Sequence, residues 1–328
     1  MPVCKVTDEQ LHDALQETNS PTALAAQFGI SMRAIQTRLR KLGVPPLDNH
    51  AQARKPPVYR AKPEGRLDVN ITDGSVIIGS DCHYWPGMVS TAHRAFVRTI
   101  CELRPKVVIM NGDVFDGASA SRHPRLGWAE KPPSVRDELR AVEERLAEIK
   151  AACPPGCITV WTRGNHCMRF EMMLAANAPQ YEGVQGFSLS DHFPEWKHCM
   201  AVWLGEKCVV KHRLAGGVHA TYNNTLRSGV TLVTGHLHRL QTTTFSDYNG
   251  TRWGVDTGTM ADPYGPQFAG YTELGPVNWA SGFAVLTFAD GELLYPELAH
   301  VVDEGKFSFR GQVIDLGDQS AMHKAAKA

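Results

Sequence analysis

The stretch VVIMNGDVFDG, residues 107–117, joins a short apolar run to two carboxylates and two glycines. Three of its first four residues are β-branched, as is typical of a buried β-strand. The predicted strand ends where Gly112 and Asp113 begin a turn. The stretch therefore indicates a strand whose polar loop lies at its carboxyl end, where α/β sheets carry functional groups.

Four more apolar runs have the same arrangement. They end in Asp, Asn or His, and they read VIIGSD at 76–81, ITVWTRGNH at 158–166, CVVKH at 208–212 and VTLVTGH at 230–236. Helical patterns fit residues 90–103 and 134–151. Alternation of such strands and helices predicts an α/β fold.

The composition is that of an ordinary globular protein. The 328 residues are 43% hydrophobic and 21% charged, which excludes a disordered chain and a disulfide-stapled miniprotein. No apolar run approaches the length of a membrane span, and the start lacks the apolar region of a secretory signal. We therefore expect a cytoplasmic protein with no membrane contact, whose eight scattered cysteines are reduced.

Residues 1–44 follow a different pattern, with three short helices around a break at Gly29. Ser31 is placed to cap the third helix, whose inner face carries Ile35, Leu39 and Leu42. This pattern resembles the helix-turn-helix domains of sigma-factor-like and resolvase-like DNA binders. The resemblance implies that the basic side chains of the third helix contact DNA, namely Arg33, Arg38, Arg40 and Lys41. A plain helical bundle and a protein-docking module are the alternatives.

Three further boundaries follow from composition. Residues 1–66 hold ten Lys and Arg against six Asp and Glu, so the excess of basic residues lies in the amino-terminal part of the chain. Residues 45–66 are rich in proline and basic side chains, which predicts a linker. We expect the α/β domain over 67–315 and a frayed tail over 316–328.

The strand ends together offer carboxylate, amide and imidazole donors without a thiolate pair. Such donors suit two divalent cations, of which manganese is our first expectation and iron, nickel or zinc the alternatives. They are too many for one ion, so Asp113 is expected to bridge two.

In chain order these donors form the blocks D-x-H, G-D-x-x-D, G-N-H, a lone H and G-H-x-H. This ordered set resembles the calcineurin-like metallophosphoesterase superfamily over roughly residues 75–290. The resemblance implies a four-layer α/β/β/α sandwich. It also implies one metal held by Asp81, His83, Asp113 and His238, and a second held by Asp113, Asn165, His212 and His236.

The resemblance further implies that His166 is the general acid and that Asp116 supports the site without binding metal. The acidic residue that usually follows the histidine of G-N-H is Cys167 here. Another group must then orient His166, and Asp137 and Glu171 are the candidates.

Several side chains near the blocks are expected to meet the substrate. Arg169 and Arg239 lie one step from the predicted ligands and can clamp a phosphate. His123 belongs to a basic loop tip, for which a solvated loop is the alternative. The aromatic segment 253–283 either covers the cleft, stacks bases, or packs at the rim of a second sheet, which we favour.

We expect hydrolysis of a phosphoester by a hydroxide that bridges the two metals. The G-D-V-F-D block resembles repair-nuclease-like members more than protein phosphatases, and the front domain adds a DNA-binding module. A nucleic-acid phosphodiesterase of the phage-encoded kind is therefore the first expectation. A phosphomonoesterase acting on proteins or nucleotides is the alternative, and an inactive DNA-binding regulator, suggested by Cys167, is the third.

Overall fold

A computed structural model describes residues 6–18, 20–44, 65–122, 131–273 and 275–317. The chain divides into two compact units, Met1–Pro63 and Glu64–Ala328. Most of the predicted linker, residues 45–64, lies outside the described residues. Strand β1 begins at Arg66, one residue inside the segment that was predicted as linker.

The first unit contains the helices α1 (Asp8–Glu17), α2 (Pro21–Phe28) and α3 (Met32–Lys41). Each begins after a capping side chain that accepts a hydrogen bond from the backbone three residues on, namely Thr7, Ser20 and Ser31. Leu11, Leu24, Ile35 and Leu39 are buried between them.

One residue predicted for this small core is misplaced. Leu42 is 42% exposed, because α3 ends at Lys41 and the chain turns away after it. Gly29 ends α2 in the left-handed conformation, as the predicted break requires. Three capped helices around one apolar core are thus present.

The second unit is built from two β-sheets and six α-helices within the described residues. Its helices are α4 (Thr91–Leu103), α5 (Val135–Ala152), α6 (Cys167–Asn177), α7 (Leu189–His192), α8 (Ala220–Ser228) and α9 (Ala269–Thr272). Its strands are β1 (Arg66–Val69), β2 (Gly74–Gly79), β3 (Val107–Asn111), β4 (Ile158–Thr162), β5 (Lys197–Cys199), β6 (Ala201–Leu204), β7 (Cys208–Val210), β8 (Thr231–Thr234), β9 (Leu240–Asp247), β10 (Gly250–Thr257), β11 (Gly282–Ala289), β12 (Glu292–Leu293), β13 (Glu297–Asp303), β14 (Lys306–Phe309) and β15 (Gln312–Asp315).

The larger sheet has the strand order β15-β14-β13-β11-β2-β3-β4-β5, with β12 paired to β11. The smaller sheet has the order β1-β6-β7-β8-β10-β9. Strands β2, β3, β4 and β5 are parallel, and so are β7, β8 and β10. Parallel strands place their carboxyl ends at one edge, so the loops that follow β2, β3 and β4 lie side by side.

Alternation of side chains along the central strands separates two apolar layers. Val76 and Ile78 pack against Val202 and Val233 of the smaller sheet. Ile77, between them, instead packs in the layer of α4 and α5. Helix α8 covers the other face of the smaller sheet. The order helices, sheet, sheet, helix confirms the predicted four-layer α/β/β/α sandwich.

The polar residues that end the five apolar runs form loops after the strands, as predicted. Leu316, the first residue of the predicted tail, still packs on the domain. Leu316 is only 8% exposed and donates its N–H to the carbonyl of Gly305, while Arg94 donates to the Leu316 carbonyl. Among the residues that the structure describes, no helix combines the length and apolar character needed to span a membrane.

Candidate metal centre

The predicted ligands follow the ends of five strands. In the structure six of them form two groups, Asp81 with His83 and His238, and Asp113 with His212 and His236. Within each group the ligand atoms lie within 4.8 Å of one another. The seventh, Asn165, precedes His166, whose backbone N–H donates to Asp113 Oδ1 at 2.8 Å.

The two groups adjoin each other. His212 Nε2 lies 3.0 Å from Asp113 Oδ2 and 3.9 Å from Asp81 Oδ1. His238 Nε2 lies 3.2 Å from the same Asp81 oxygen. The carboxylates of Asp81 and Asp113 therefore face a common space between the groups.

The hydrogen bonds of two histidines fix which ring nitrogen is free. His83 Nδ1 lies 2.7 Å from Asp116 Oδ1, and His212 Nδ1 lies 2.8 Å from the carbonyl oxygen of Asn111. Because a carboxylate and a carbonyl only accept, each Nδ1 carries a hydrogen, and Nε2 is the ring nitrogen that faces the site. Imidazole binds a metal through such a nitrogen, and any proton that Nε2 carries is released when the metal binds.

Two of these donor atoms, His83 Nε2 and Asn165 Oδ1, are buried without a hydrogen-bond partner. Leaving such atoms unpaired is unfavourable in a protein interior, and bound cations would satisfy them. Oxygen and imidazole donors of this kind fit divalent metals.

The backbone at the predicted ligands is strained. Asp81, His83, Asp113, His236 and His238 have φ values of 51°, 41°, 49°, 72° and 57°. They make up five of the nine non-glycine residues with positive φ in the described part of the chain. Side chains disfavour this left-handed region, and it persists where the surrounding structure enforces it, commonly at functional sites.

Two motif glycines permit the close packing of these loops. A Cβ at Gly164 would collide with Asp113 Oδ1, and one at Gly235 would collide with Asp81 Oδ2. That Asp81 oxygen accepts hydrogen bonds from Ser80 Oγ at 2.5 Å and from the backbone of His236 at 2.8 Å. These bonds hold Oδ2 and leave Oδ1 to face the site.

The carboxylates stay charged despite their burial. Burial alone would raise the pKa of Asp81, but the His212 and His238 imidazoles outweigh it and bring that pKa to about 2. Burial and the neighbouring imidazoles act in the same way on Asp113, whose pKa is lowered chiefly by His212. Burial would lower the pKa of His212, yet Asp113 and Asp81 raise it to about 9. The site thus attracts positive charge.

Residues 74–256 match the family model of the calcineurin-like phosphoesterases. The chain belongs to the calcineurin-like phosphoesterase family. Gene 54 protein of Mycobacterium phage L5 is 27% identical to it over 246 residues, which cover 68% of this chain and 92% of that protein. The crystal structure of a dimetal phosphatase from Danio rerio aligns with a TM-score of 0.36 at 12% identity, covering 75% of this chain and 100% of that one.

The chain is accordingly a metal-dependent hydrolase of phosphoesters. His166, the predicted general acid, lies beside the metal centre of this phosphoesterase. Its Nδ1 lies 2.8 Å from Asp116 Oδ1, the same oxygen that His83 contacts. Burial opposes ionisation of Asp116, but the hydrogen bonds from His166 and His83 lower its pKa. One carboxylate oxygen therefore orients both histidines.

Asp116 orients His166, the role for which Asp137 and Glu171 were the candidates. Glu171 accepts a hydrogen bond from Arg163 at 2.6 Å, and Asp137 accepts one from Ser134 at the start of α5. The expectation that one of them orients His166 is wrong. Asp116 was predicted to support the site, but sequence spacing could not show that it reaches two histidines.

Two of the three predicted substrate contacts can be placed. Arg169 donates to the Asp116 carbonyl and to His166 Nε2, both at 3.1 Å, so it lies at the phosphoesterase site. Arg239 donates to the carbonyls of Gly217 and Val218. His123 lies outside the described residues.

Aromatic residues that sequence reasoning did not single out pack on the predicted ligands. The Phe268 ring lies 4.9 Å from the ring of His83 and 5.4 Å from that of His238, between centroids. Trp279 lies 4.4 Å from His238. Both aromatics belong to the segment 253–283, whose composition was the only signal. Part of that segment packs against the predicted ligands rather than only at the sheet rim.

Glu138 was also missed, because its position in a helix of mixed charge looks ordinary. Its side chain is buried, and Oε1 accepts a hydrogen bond from the Ala118 N–H at 3.2 Å, in the loop that follows Asp116. Burial and the Asp116 charge raise the pKa of Glu138 to about 8. The carboxyl is thus a neutral acid over much of the neutral pH range.

The predicted DNA-contacting residues lie on α3. Arg33, Arg40 and Lys41 are exposed, and Arg38 is half-buried. The helix carries no acidic residue, so its surface is basic. This arrangement permits contact with phosphates.

Proposed function

We propose that this phosphoesterase is a phosphodiesterase that uses two divalent cations to hydrolyse nucleic acid. The observation that carries the proposal is the pair of adjoining donor groups, with His166 oriented beside them by Asp116. Carboxylates facing both groups suit a substrate atom held between two cations.

The residues that would hold the cations are those of the two groups. One cation would be held by Asp81, His83, Asp113 and His238, and the other by Asp113, Asn165, His212 and His236. Manganese is the proposed metal, on donor chemistry. When bound, two such cations lower the pKa of a coordinated water and neutralise the charge that develops on the phosphate oxygens.

His166 is placed to supply a proton to the leaving oxygen. The Asp116 carboxylate holds Nδ1–H, so Nε2 is the atom that faces away from Asp116. Arg169 donates to Nε2 in this structure. A guanidinium binds phosphate more strongly than it binds a neutral imidazole, so an arriving phosphate would draw Arg169 away and expose Nε2. Nε2 would then take up a proton from solvent, and the imidazolium, held by the Asp116 carboxylate, would pass that proton to the leaving oxygen.

Nucleic acid is the proposed substrate because the same chain carries a basic helical unit. Arg33, Arg40 and Lys41 present positive charge at its surface, and nucleic-acid affinity depends largely on such charges. Loss of the acidic residue at Cys167, which suggested an inactive regulator, is offset by the contact of Asp116 with His166.

The test compares bis(p-nitrophenyl) phosphate with p-nitrophenyl phosphate in Mn²⁺, followed by a single-stranded oligonucleotide. We expect a higher kcat/KM for the diester and cleavage of the oligonucleotide. Preference for the monoester would identify a phosphatase instead. The variant Asp113→Asn is the control and should lose activity on every substrate, which excludes a contaminating enzyme.

A further inference from the structure

Two cavities flank the metal centre, and their charges differ. The cavity that His83 borders has a volume of about 410 Å³ and is lined by two acidic residues, Asp262 and Glu304. The cavity that Asn165 borders has a volume of about 490 Å³ and is lined by three arginines, Arg122, Arg169 and Arg213. None of the described residues that line this second cavity is acidic.

The second cavity also has an apolar wall. Met168, Met172 and Met173 line it from helix α6. Met172 and Met173 are each 48% exposed and neighbour each other, so they form an exposed apolar patch on this wall. We call this surface the arginine–methionine groove and define it by Arg122, Arg169, Arg213, Met168, Met172 and Met173.

The arginines place the groove next to the chemistry. Arg169 contacts His166, and Arg213 directly follows His212 in the chain. Arg122 follows the short helical turn Ala118–Ala120 and is exposed. An extended chain of phosphates lying in the groove would therefore reach the metal centre at one end.

We propose that the arginine–methionine groove binds the single-stranded segment that flanks the scissile phosphate. This inference rests on the proposed function and names the form of its substrate. Arginine neutralises the phosphates of the strand, and flexible methionine side chains pack on bases of any kind. A duplex keeps its bases stacked inside, so it would leave the methionines facing water.

The acidic cavity on the other side gives the strand a direction. Asp262 and Glu304 repel phosphates, so the charged chain extends from the metal centre over the Asn165 side only. The His83 side then accepts a short end of the substrate. Additional nucleotides should raise kcat/KM when they are added on one side of the scissile phosphate and have little effect on the other.

The experiment uses the full chain and measures kcat/KM for a single-stranded 12-mer and for bis(p-nitrophenyl) phosphate. The variants are Arg122→Gln and Met172→Gln, and the matched control is Arg227→Gln, an exposed arginine on α8. The helical unit is the same in every variant, so its contribution to binding cancels. The small diester also shows whether each variant is folded.

We expect Arg122→Gln to lower the ratio of oligonucleotide to small-diester kcat/KM about tenfold, through KM, since it removes a charged contact. The slope of log KM against log salt should fall by about 0.7. Met172→Gln should lower the ratio about fivefold without changing that slope. Arg227→Gln should leave the ratio within twofold.

Three results would overturn the inference. In the first, both groove variants keep the parent ratio. In the second, a duplex is cleaved as fast as the single strand and Met172→Gln has no effect. In the third, nucleotides added on either side of the scissile phosphate raise the kcat/KM of the parent equally. Failure of the proposed function differs from all three, because the parent would then cleave no oligonucleotide at all.

Discussion

Replacing Asp116 with asparagine tests how one carboxylate oxygen serves both parts of the active site. Asp116 Oδ1 accepts hydrogen bonds from His83 Nδ1 at 2.7 Å and from His166 Nδ1 at 2.8 Å. Asparagine keeps an oxygen of the same size at that place but removes the negative charge. The variant therefore weakens both bonds with little change in packing.

The size of the effect follows from the strength of charged hydrogen bonds. They stabilise by about 1.5–3 kcal/mol, roughly twice as much as neutral ones, so each bond loses about 1 kcal/mol. A loss of about 1 kcal/mol lowers a rate or an affinity about fivefold. If both histidines matter to the same transition state, the losses combine to about thirtyfold.

The assay separates the two histidines by the leaving group. Nitrophenolate leaves without a proton, so with bis(p-nitrophenyl) phosphate only the weakened orientation of His83 should count, and kcat/KM should fall about fivefold. An oligonucleotide releases an alkoxide that needs a proton, so there the fall should reach about thirtyfold. His166→Asn is the matched control and should affect the oligonucleotide far more than the nitrophenyl ester. Equal losses of Asp116→Asn on the two substrates would refute this account.

Three further predictions concern stability, loop packing and DNA binding. Burial raises the pKa of Glu138 to about 8 from an ordinary 4.5, so the folded chain keeps a proton that the unfolded chain releases. The free energy of unfolding should therefore fall as pH rises between these values, by up to about 1.4 kcal/mol per pH unit. Glu138→Gln should remove this contribution to the pH dependence, as measured by urea titrations at pH 5.5 and 8. An unchanged pH dependence would contradict the assignment. Gly164→Ala should lower the increase in melting temperature that Mn²⁺ gives, because its Cβ displaces Asp113; a parent-like increase would show that the loop relaxes. Exchange of Arg40 and Lys41 for Gln should reduce the slope of log affinity for duplex DNA against log salt by about 2, and an unchanged slope would exclude α3 from the contact.

Much of the fold is readable from the sequence because apolar runs and polar clusters alternate so regularly. The runs at 107–113 and 158–166 each contain a strand followed by the residues of the metal centre. The ends of the ordered elements were less readable, as the exposed Leu42 and the buried Leu316 show. Hydrophobic pattern shows where a segment is buried, but a hydrogen-bonded ladder stops where the backbone turns, and the residue types alone do not locate that turn.

The contacts that complete the site were beyond the reach of sequence spacing. Asp116 meets His83 and His166 because three loops converge, and the separations of 33 and 50 residues carry no information about that meeting. Phe268 also reaches His83, from a position more than a hundred residues further along the chain. Cys167 could be read only as a missing acid, whereas in the fold it is a buried core residue. Local pattern identifies the donors, and tertiary packing selects their partners.

The left-handed residues explain why the loops need both their mutual hydrogen bonds and a ligand. Each strained residue costs on the order of 1 kcal/mol or more, so five of them amount to several kcal/mol, a large part of the stability of a typical domain. Backbone bonds between loops offset some of this, as when Asp81 N–H donates to the Gly112 carbonyl at 3.0 Å and His83 N–H donates to the Asp113 carbonyl at 2.9 Å. The unpaired donor atoms beside them stay unfavourable until cations bind. Cation binding and ordering of these loops are therefore coupled, and the strain is sustained because it directs the ligands toward one centre.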